Sequence, residues 1–372
     1  MKKFFWLVVM FILVLPLMGA GCVSVKSSDE IVTTDRGVFV SHDKGTSWEQ
    51  KTSVSNVDQV PQSISAFNAL EMFFDPQDSQ TIYLTTESNG VYVSYNGGEK
   101  WESFYSQSGL AYEIAVDPTS RNVIYISGGN KIVKSIDGGT TWNEVYFEAI
   151  PEAFVETISI DSINSKIVYL GVSDGRLIRS LDAGKTWNRV SDFEGKIKQV
   201  LVNPNDSDII YVATQRDGVF RSGNYGKTWH NVSLGDNIEE TKRLTKEYKG
   251  IGEFKIMLFD QTQKDAILIG TDYGLLKNKN GENDWEIIRL LTLPTEIDVV
   301  SLAMNAKNNQ EIYYGINNAL YFSKDGGKNW AARSLPTHGM AQYLLVSPVD
   351  PDIVYLGVYV PLPPEDNNGL LF

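Results

Sequence analysis

The segment Ser180-Leu181-Asp182-Ala183-Gly184-Lys185-Thr186-Trp187 decides the fold, because relatives of it recur along the 372-residue chain. They run from Ser41 to Trp48, Ser94 to Trp101, Ser135 to Trp142, Ser222 to Trp229, Asn278 to Trp285 and Ser323 to Trp330. Successive tryptophans stand 53, 41, 45, 42, 56 and 45 residues apart, a period of 40 to 45 with two insertions. That period fits one four-stranded propeller blade per repeat.

A second element recurs between these segments. Phe73-Phe74-Asp75-Pro76 precedes Ile82-Tyr83-Leu84, Val116-Asp117-Pro118 precedes Ile124-Tyr125-Ile126, and Val202-Asn203-Pro204 precedes Ile210-Tyr211-Val212; similar pairs begin near Ile160, Leu258, Ala303 and Val346. Short β-branched and aromatic runs bounded by Asp, Asn, Pro and Gly are strand signals. Each unit reads as strand A, an Asx-Pro turn, strand B, a loop, strand C ending in Ser, the repeated turn, and strand D opening at Trp. The expected fold is all-β, a seven-bladed β-propeller of four-stranded antiparallel blades over residues 31–372. The chain enters late in a repeat, with Gly37-Val38-Phe39-Val40, and leaves after the A and B strands near Leu344 and Ile353. The two ends are therefore expected to share one blade, which closes the ring and removes open sheet edges.

The consensus Ser-x-Asp-x-Gly-x-Thr-Trp resembles the Asp-box, or BNR repeat, of sialidases, sortilins, xyloglucanases and photosystem II assembly factors. Asp43, Asp137, Asp182 and Asp325 hold the acidic position, with Asn96 and Asn224 as conservative replacements. The tryptophans are Trp48, Trp101, Trp142, Trp187, Trp229, Trp285 and Trp330. The sixth copy departs, since Gly281 comes one residue early, and a distorted turn is expected there. In the resembling families these turns lie at the outer bottom of the ring, away from the binding face, so the resemblance implies scaffold rather than chemistry. An Asp in such a turn accepts backbone N–H bonds, and a Trp fills the space between blades.

Catalysis by the resembling enzymes is not expected to transfer. No Phe/Tyr-Arg-Ile-Pro tetrapeptide of sialidase type occurs. A xyloglucanase of this class is expected to use two propellers, and a sortilin receptor is expected to be longer, with a cysteine-rich module. His42, His230 and His338 are isolated and Cys22 is the single cysteine, so no cofactor or metal is expected and no disulfide can form within one chain.

The first 21 residues read as an export signal: Lys2 and Lys3 precede an apolar run from Phe4 to Met18, followed by Gly19, Ala20 and Gly21. Leu17 to Cys22 looks like a bacterial lipobox, with Gly19 where a larger aliphatic is usual. That resemblance implies lipidation of Cys22, a tether over residues 22–30, and a protein held at a membrane outside the cytoplasm. An ordinary secretory signal and an uncleaved anchor helix are the alternative readings. Without the signal, 31 basic and 46 acidic residues leave a formal charge of −15, which disfavours nucleic acid as a partner.

Insertions on a rigid scaffold are where specificity usually resides. Three interrupt the repeat: Thr52 to Phe67, Leu234 to Gly252 with a short charged helix over 237–244, and Tyr359 to Asn368 with its prolines. All three belong to the loop classes of one face. On that face the B–C loop residues Glu87, Asp174, Arg216, Asp217, Asp272 and Tyr273 are the candidate contacts. In size, blade number, export signal and lone N-terminal cysteine, the chain most resembles the photosystem II assembly factors and their bacterial relatives. The resemblance implies a monomeric, non-enzymatic scaffold that binds or helps assemble a protein partner, such as a membrane protein complex, through one propeller face. The alternative is a propeller that binds or hydrolyses extracellular glycans, which would need two suitably placed carboxylates.

Overall fold

A computed structural model describes residues 35–55, 63–106, 113–233, 246, 252–281, 285–291, 299–317 and 319–361. The export signal, Cys22, the tether, the expected helix at 237–244 and the last eleven residues lie outside the described residues.

Seven four-stranded sheets are arranged as the blades of a propeller. The first comprises β3 (Ala69–Asp75), β4 (Asp78–Thr86), β5 (Val91–Ser94) and β6 (Glu102–Tyr105). The second comprises β7 (Glu113–Asp117), β8 (Ser120–Gly128), β9 (Lys131–Ser135) and β10 (Asn143–Phe147), and the third β11 (Val155–Ile160), β12 (Val168–Val172), β13 (Arg176–Ser180) and β14 (Asn188–Asp192). The fourth is built from β15 (Ile197–Val202), β16 (Ile209–Thr214), β17 (Val219–Gly223) and β18 (His230–Asn231), and the fifth from β19 (Phe254–Phe259), β20 (Ile267–Thr271), β21 (Gly274–Asn278) and β22 (Trp285–Ile288). The sixth holds β23 (Val299–Asn305), β24 (Asn308–Ile316), β25 (Ala319–Ser323) and β26 (Ala331–Ser334). The seventh unites the two ends of the chain: β27 (Met340–Val346) and β28 (Val354–Tyr359) continue into β1 (Gly37–Ser41) and β2 (Glu49–Gln50). β28 and β1 pair antiparallel in unbroken register from Gly37 opposite Val358 to Ser41 opposite Val354. The expected closure is thus the one observed.

The central B and C strands are apolar on both sides, as befits sheets packed between neighbours; β12, β16 and β20 are buried along their whole length. Each core cluster joins two adjacent blades. Val38, Met72, Leu84 and Tyr355, for example, bridge the seventh blade and the first.

The turns repeat one set of hydrogen bonds. The hydroxyl of Ser41, Ser94, Ser135, Ser180, Ser222 and Ser323 accepts the N–H of the glycine four residues on, each at 2.8 Å. The same hydroxyl donates to the Asp or Asn two residues on, as from Ser180 to Asp182 Oδ1 at 2.8 Å. That oxygen in turn accepts the N–H of Thr186 at 2.8 Å. At Gly184 φ is +87°, a backbone that a side chain would strain. In the fifth blade Asn278 replaces the serine, and its Oδ1 takes the Gly281 N–H at 2.5 Å. A different atom therefore closes the turn where the glycine comes early.

The tryptophans reach back to the preceding blade. Trp101 Nε1 donates to Lys51 O at 2.8 Å, Trp187 to Val145 O at 2.8 Å and Trp330 to Arg289 O at 2.9 Å. Trp101 is fully buried, whereas Trp48, Trp142, Trp187, Trp229, Trp285 and Trp330 are half-buried.

Candidate functional site

Strand A of each blade lines the central channel, and its sequence sets what the channel can hold. Six of the seven A strands carry a β-bulge near their start, with Leu70, Glu156, Lys198, Lys255, Val300 and Gln342 as the extra residues. A bulge turns two consecutive residues away from strict alternation and re-aims side chains. Five of these residues, with Glu71, Glu113, Gln199 and Tyr343, line a cavity of about 200 Å³ at the channel end where the B–C loops and D–A connections lie.

This chamber is acidic and unevenly neutralised. Glu156 pairs with both Lys196 and Lys198, the latter at 2.9 Å. Lys255 Nζ stands 3.0 Å from Asp272. Glu113 accepts the Ile158 N–H at 2.8 Å and the Thr157 hydroxyl at 3.3 Å. Burial pushes the Glu71 carboxyl up to about 8 against a hydrogen bond from Tyr343 that lowers it. Burial, and then repulsion from Glu71, raises Glu113 well above the ordinary range. The Tyr343 hydroxyl is raised for the same reasons, burial first and the two glutamates after it.

The residues singled out from the sequence all lie in B–C loops, but they do different work. Glu87 is taken up by the ring's seam: its carboxylate accepts from Asn68 Nδ2 at 2.7 Å and from the Tyr359 hydroxyl at 2.9 Å. Asp174 pairs with Arg176 at 2.7 Å, and Arg176 reaches on to the buried Glu148 at 2.7 Å. Asp217 packs against Gly195, and burial with the nearby Glu194 raises its carboxyl. Tyr273 packs against the core of the fourth and fifth blades. Arg216, 75% exposed, approaches Glu253 at 3.8 Å. Arg216, Glu253, Lys255 and Asp272 thus form an alternating-charge rim between the fourth and fifth blades, running into the channel mouth. Among the described residues no group of three or more His, Cys, Asp or Glu could hold a metal ion.

Glu71, Glu113, Glu156 and Tyr343 were not among the sequence candidates. A signal for two of them exists: Glu71 and Glu113 stand four residues before Asp75 and Asp117, the acids that close the A–B turns by accepting the Gln77 and Thr119 N–H groups, each at 2.8 Å.

Comparison with known families assigns the chain. The model for sortilin, neurotensin receptor 3, matches residues 36–146 and 175–280, more than half of the sequence. The chain belongs to the sortilin–Vps10 family. Among curated proteins none matches it. This sortilin–Vps10 propeller is similar to the GH74 xyloglucanase of Xanthomonas campestris, with 17% identity and a TM-score of 0.63 over 79% of this chain and 51% of the other. It is similar to the structure of YCF48 bound to D1 peptide, with 17% identity and a TM-score of 0.57 over 79% of this chain and 93% of that one. YCF48 from Cyanidioschyzon merolae gives 14% identity and a TM-score of 0.56 over 78% and 96% of the two chains. The sortilin–Vps10 propeller described here spans about half the length of the GH74 enzymes from Xanthomonas campestris and Niastella koreensis and nearly the whole of YCF48. At such identities these likenesses concern the fold.

Proposed function

We propose that this protein is a non-enzymatic binding scaffold, held outside the cytoplasm by a lipid on Cys22, that engages a protein partner through the face bearing the B–C loops. The observation that carries this reading is the rim of Arg216, Glu253, Lys255 and Asp272 beside an open channel mouth, on a rigid ring. Exposed charge on a fixed scaffold favours orientation and selectivity toward a complementary surface. Support comes from YCF48, a propeller of similar extent whose solved complex holds a D1 peptide. Family membership adds to it.

The test is capture from detergent-solubilised membranes with residues 31–372 as bait. Specific recovery of one complex, abolished in an Arg216→Glu, Asp272→Arg variant of unchanged thermal stability, supports the reading. Recovery indifferent to these substitutions overturns the choice of face. Cys22→Ser is expected to move the full chain from the membrane to the soluble fraction.

A second reading, glycan binding or hydrolysis, is supported by the likeness to GH74 propellers. Binding to a defined glycan on an array, without a protein partner, would put it first.

A further inference from the structure

The channel holds two adjoining chambers of opposite character. The lower one, about 430 Å³, lies toward the A–B turns and is walled by Phe74, Leu258, Phe259, Met304 and Leu345. These side chains are only half-buried, so they present apolar surface to the channel. The upper one holds Glu71, Glu113 and Glu156. Gln199, Ile256 and Tyr343 line both, so the chambers meet at their level. Glu156 and Lys255 have ion-pair partners in Lys196, Lys198 and Asp272. No ammonium or guanidinium among the described residues pairs with Glu71 or Glu113. Two neighbouring carboxyls with no cation between them are electrostatically costly to ionise together.

We propose that the channel binds an extended segment of a protein partner in which a lysine or arginine is flanked by large apolar residues, the cation lying between Glu71 and Glu113 and an apolar side chain in the Phe74–Leu258–Met304–Leu345 chamber. The proposal rests on the protein-binding reading and names the chemistry of the partner. Charge complementarity selects the cation, and the adjoining apolar wall selects its neighbour in sequence. Gln342 and the Gln199 Nε2, whose Oε1 already accepts the Met257 N–H at 2.9 Å, provide the amide groups at the chamber wall that a passing backbone would meet. An extended chain advances about 3.3 Å per residue and points alternate side chains to opposite sides, so residues one or two apart can reach both chambers.

Binding of a cation favours the ionised form of Glu71, so it releases a proton at neutral pH. The titratable and charged groups facing Glu71 across the chamber are Glu113 on β7, Glu156 on β11, Lys255 on β19 and Tyr343 on β27. With both carboxyls raised, affinity for the cation should rise from pH 7 to pH 8.

The experiment is calorimetric titration of residues 31–372 with N-acetyl-Leu-Lys-Phe-amide and N-acetyl-Leu-Glu-Phe-amide. The expected result is binding of the lysine peptide at least about tenfold tighter than the glutamate peptide, with proton release in buffers of differing ionisation enthalpy. A Glu71→Gln, Glu113→Gln variant, which removes charge without changing volume, should lose that tenfold preference and the proton release. Circular dichroism and the unfolding midpoint establish that the variant is folded. Equal affinity for the two peptides, no binding of either, or a preference that survives the double substitution each overturns the proposal. Membrane-complex capture that still depends on Arg216 and Asp272 would then leave the scaffold reading standing.

Discussion

Asn68 and Val360, 292 residues apart, hold each other by two hydrogen bonds. The Val360 N–H donates to Asn68 Oδ1 at 2.9 Å, and Asn68 Nδ2 donates to Val360 O at 3.1 Å. The asparagine side chain imitates a neighbouring β-strand, so the backbone leaving β28 finds amide partners after the sheet has ended. Asn68 Nδ2 also donates to Glu87, which accepts from Tyr359, and the four residues knit the seventh blade to the first. This seam complements the pairing of β28 with β1 within the seventh blade.

Asn68→Ala should therefore cost about 2–4 kcal/mol, because it removes three bonds, strips both polar groups of Val360 of the Asn68 amide, and leaves the Glu87 carboxylate, among the described residues, with only the Tyr359 hydroxyl. Urea unfolding checks it. A loss below about 0.5 kcal/mol, as for an ordinary surface site, would show that the seam does not contribute to closure.

Arg176 should be intolerant of truncation for a different reason. Its guanidinium lies 2.7 Å from Glu148, whose side chain is 3% exposed and also accepts from the Tyr146 hydroxyl and the Ile150 N–H, both at 2.8 Å. Removing one member of a buried pair leaves an uncompensated charge, so Arg176→Ala is expected to cost about 3–5 kcal/mol. Lys51→Ala, which breaks pairs with the exposed Glu49 and Glu99, should cost under about 1 kcal/mol through charge. The two unfolding curves, measured side by side, test the contrast.

On the acid side, stability should fall between about pH 4 and pH 2. Asp43, Asp137, Asp182 and Asp325 are held down to about 2, chiefly by hydrogen bonds from the residue four positions on. A carboxyl lowered in the fold contributes stability that is present above its unfolded value and lost as pH falls through its folded one. Asp182→Asn should flatten this decline by one group's share. Unfolding free energy measured at half-unit steps reads the effect, and an unchanged acid limb would speak against it.

On the alkaline side the sign reverses. Glu71 is raised to about 8, so the fold loses stability as pH climbs from the unfolded carboxyl range near 4.5 through 8. Glu71→Gln should be more stable than the parent at pH 9, by at least about 1 kcal/mol, and near parity at pH 4. Equal pH profiles for the two proteins would contradict the burial of this carboxyl.

The sequence by itself determined the blade number, the strand order and the chemistry of the turns. Each of these rests on contacts between residues two to four apart, such as Ser180 with Asp182 and Gly184, which leave a short pattern repeated every 40 to 45 residues. Even the shared blade was legible, because the first repeat opens at a C strand and the last one adds only A and B strands near Leu344 and Ile353. What only the tertiary structure decided is where the charges meet. Glu71 and Glu113 belong to different blades and converge because seven A strands surround one axis, and the bulges at Glu156 and Lys255 follow from strand pairing that no local pattern announces. For the same reason Glu87 and Asp174, indistinguishable in sequence from free loop acids, are held by Asn68, Tyr359 and Arg176. For Glu87 those partners lie 19 and 272 residues away, and for Asp174 the neighbouring Arg176 is itself anchored on the buried Glu148 of another blade, contacts that only folding brings within reach.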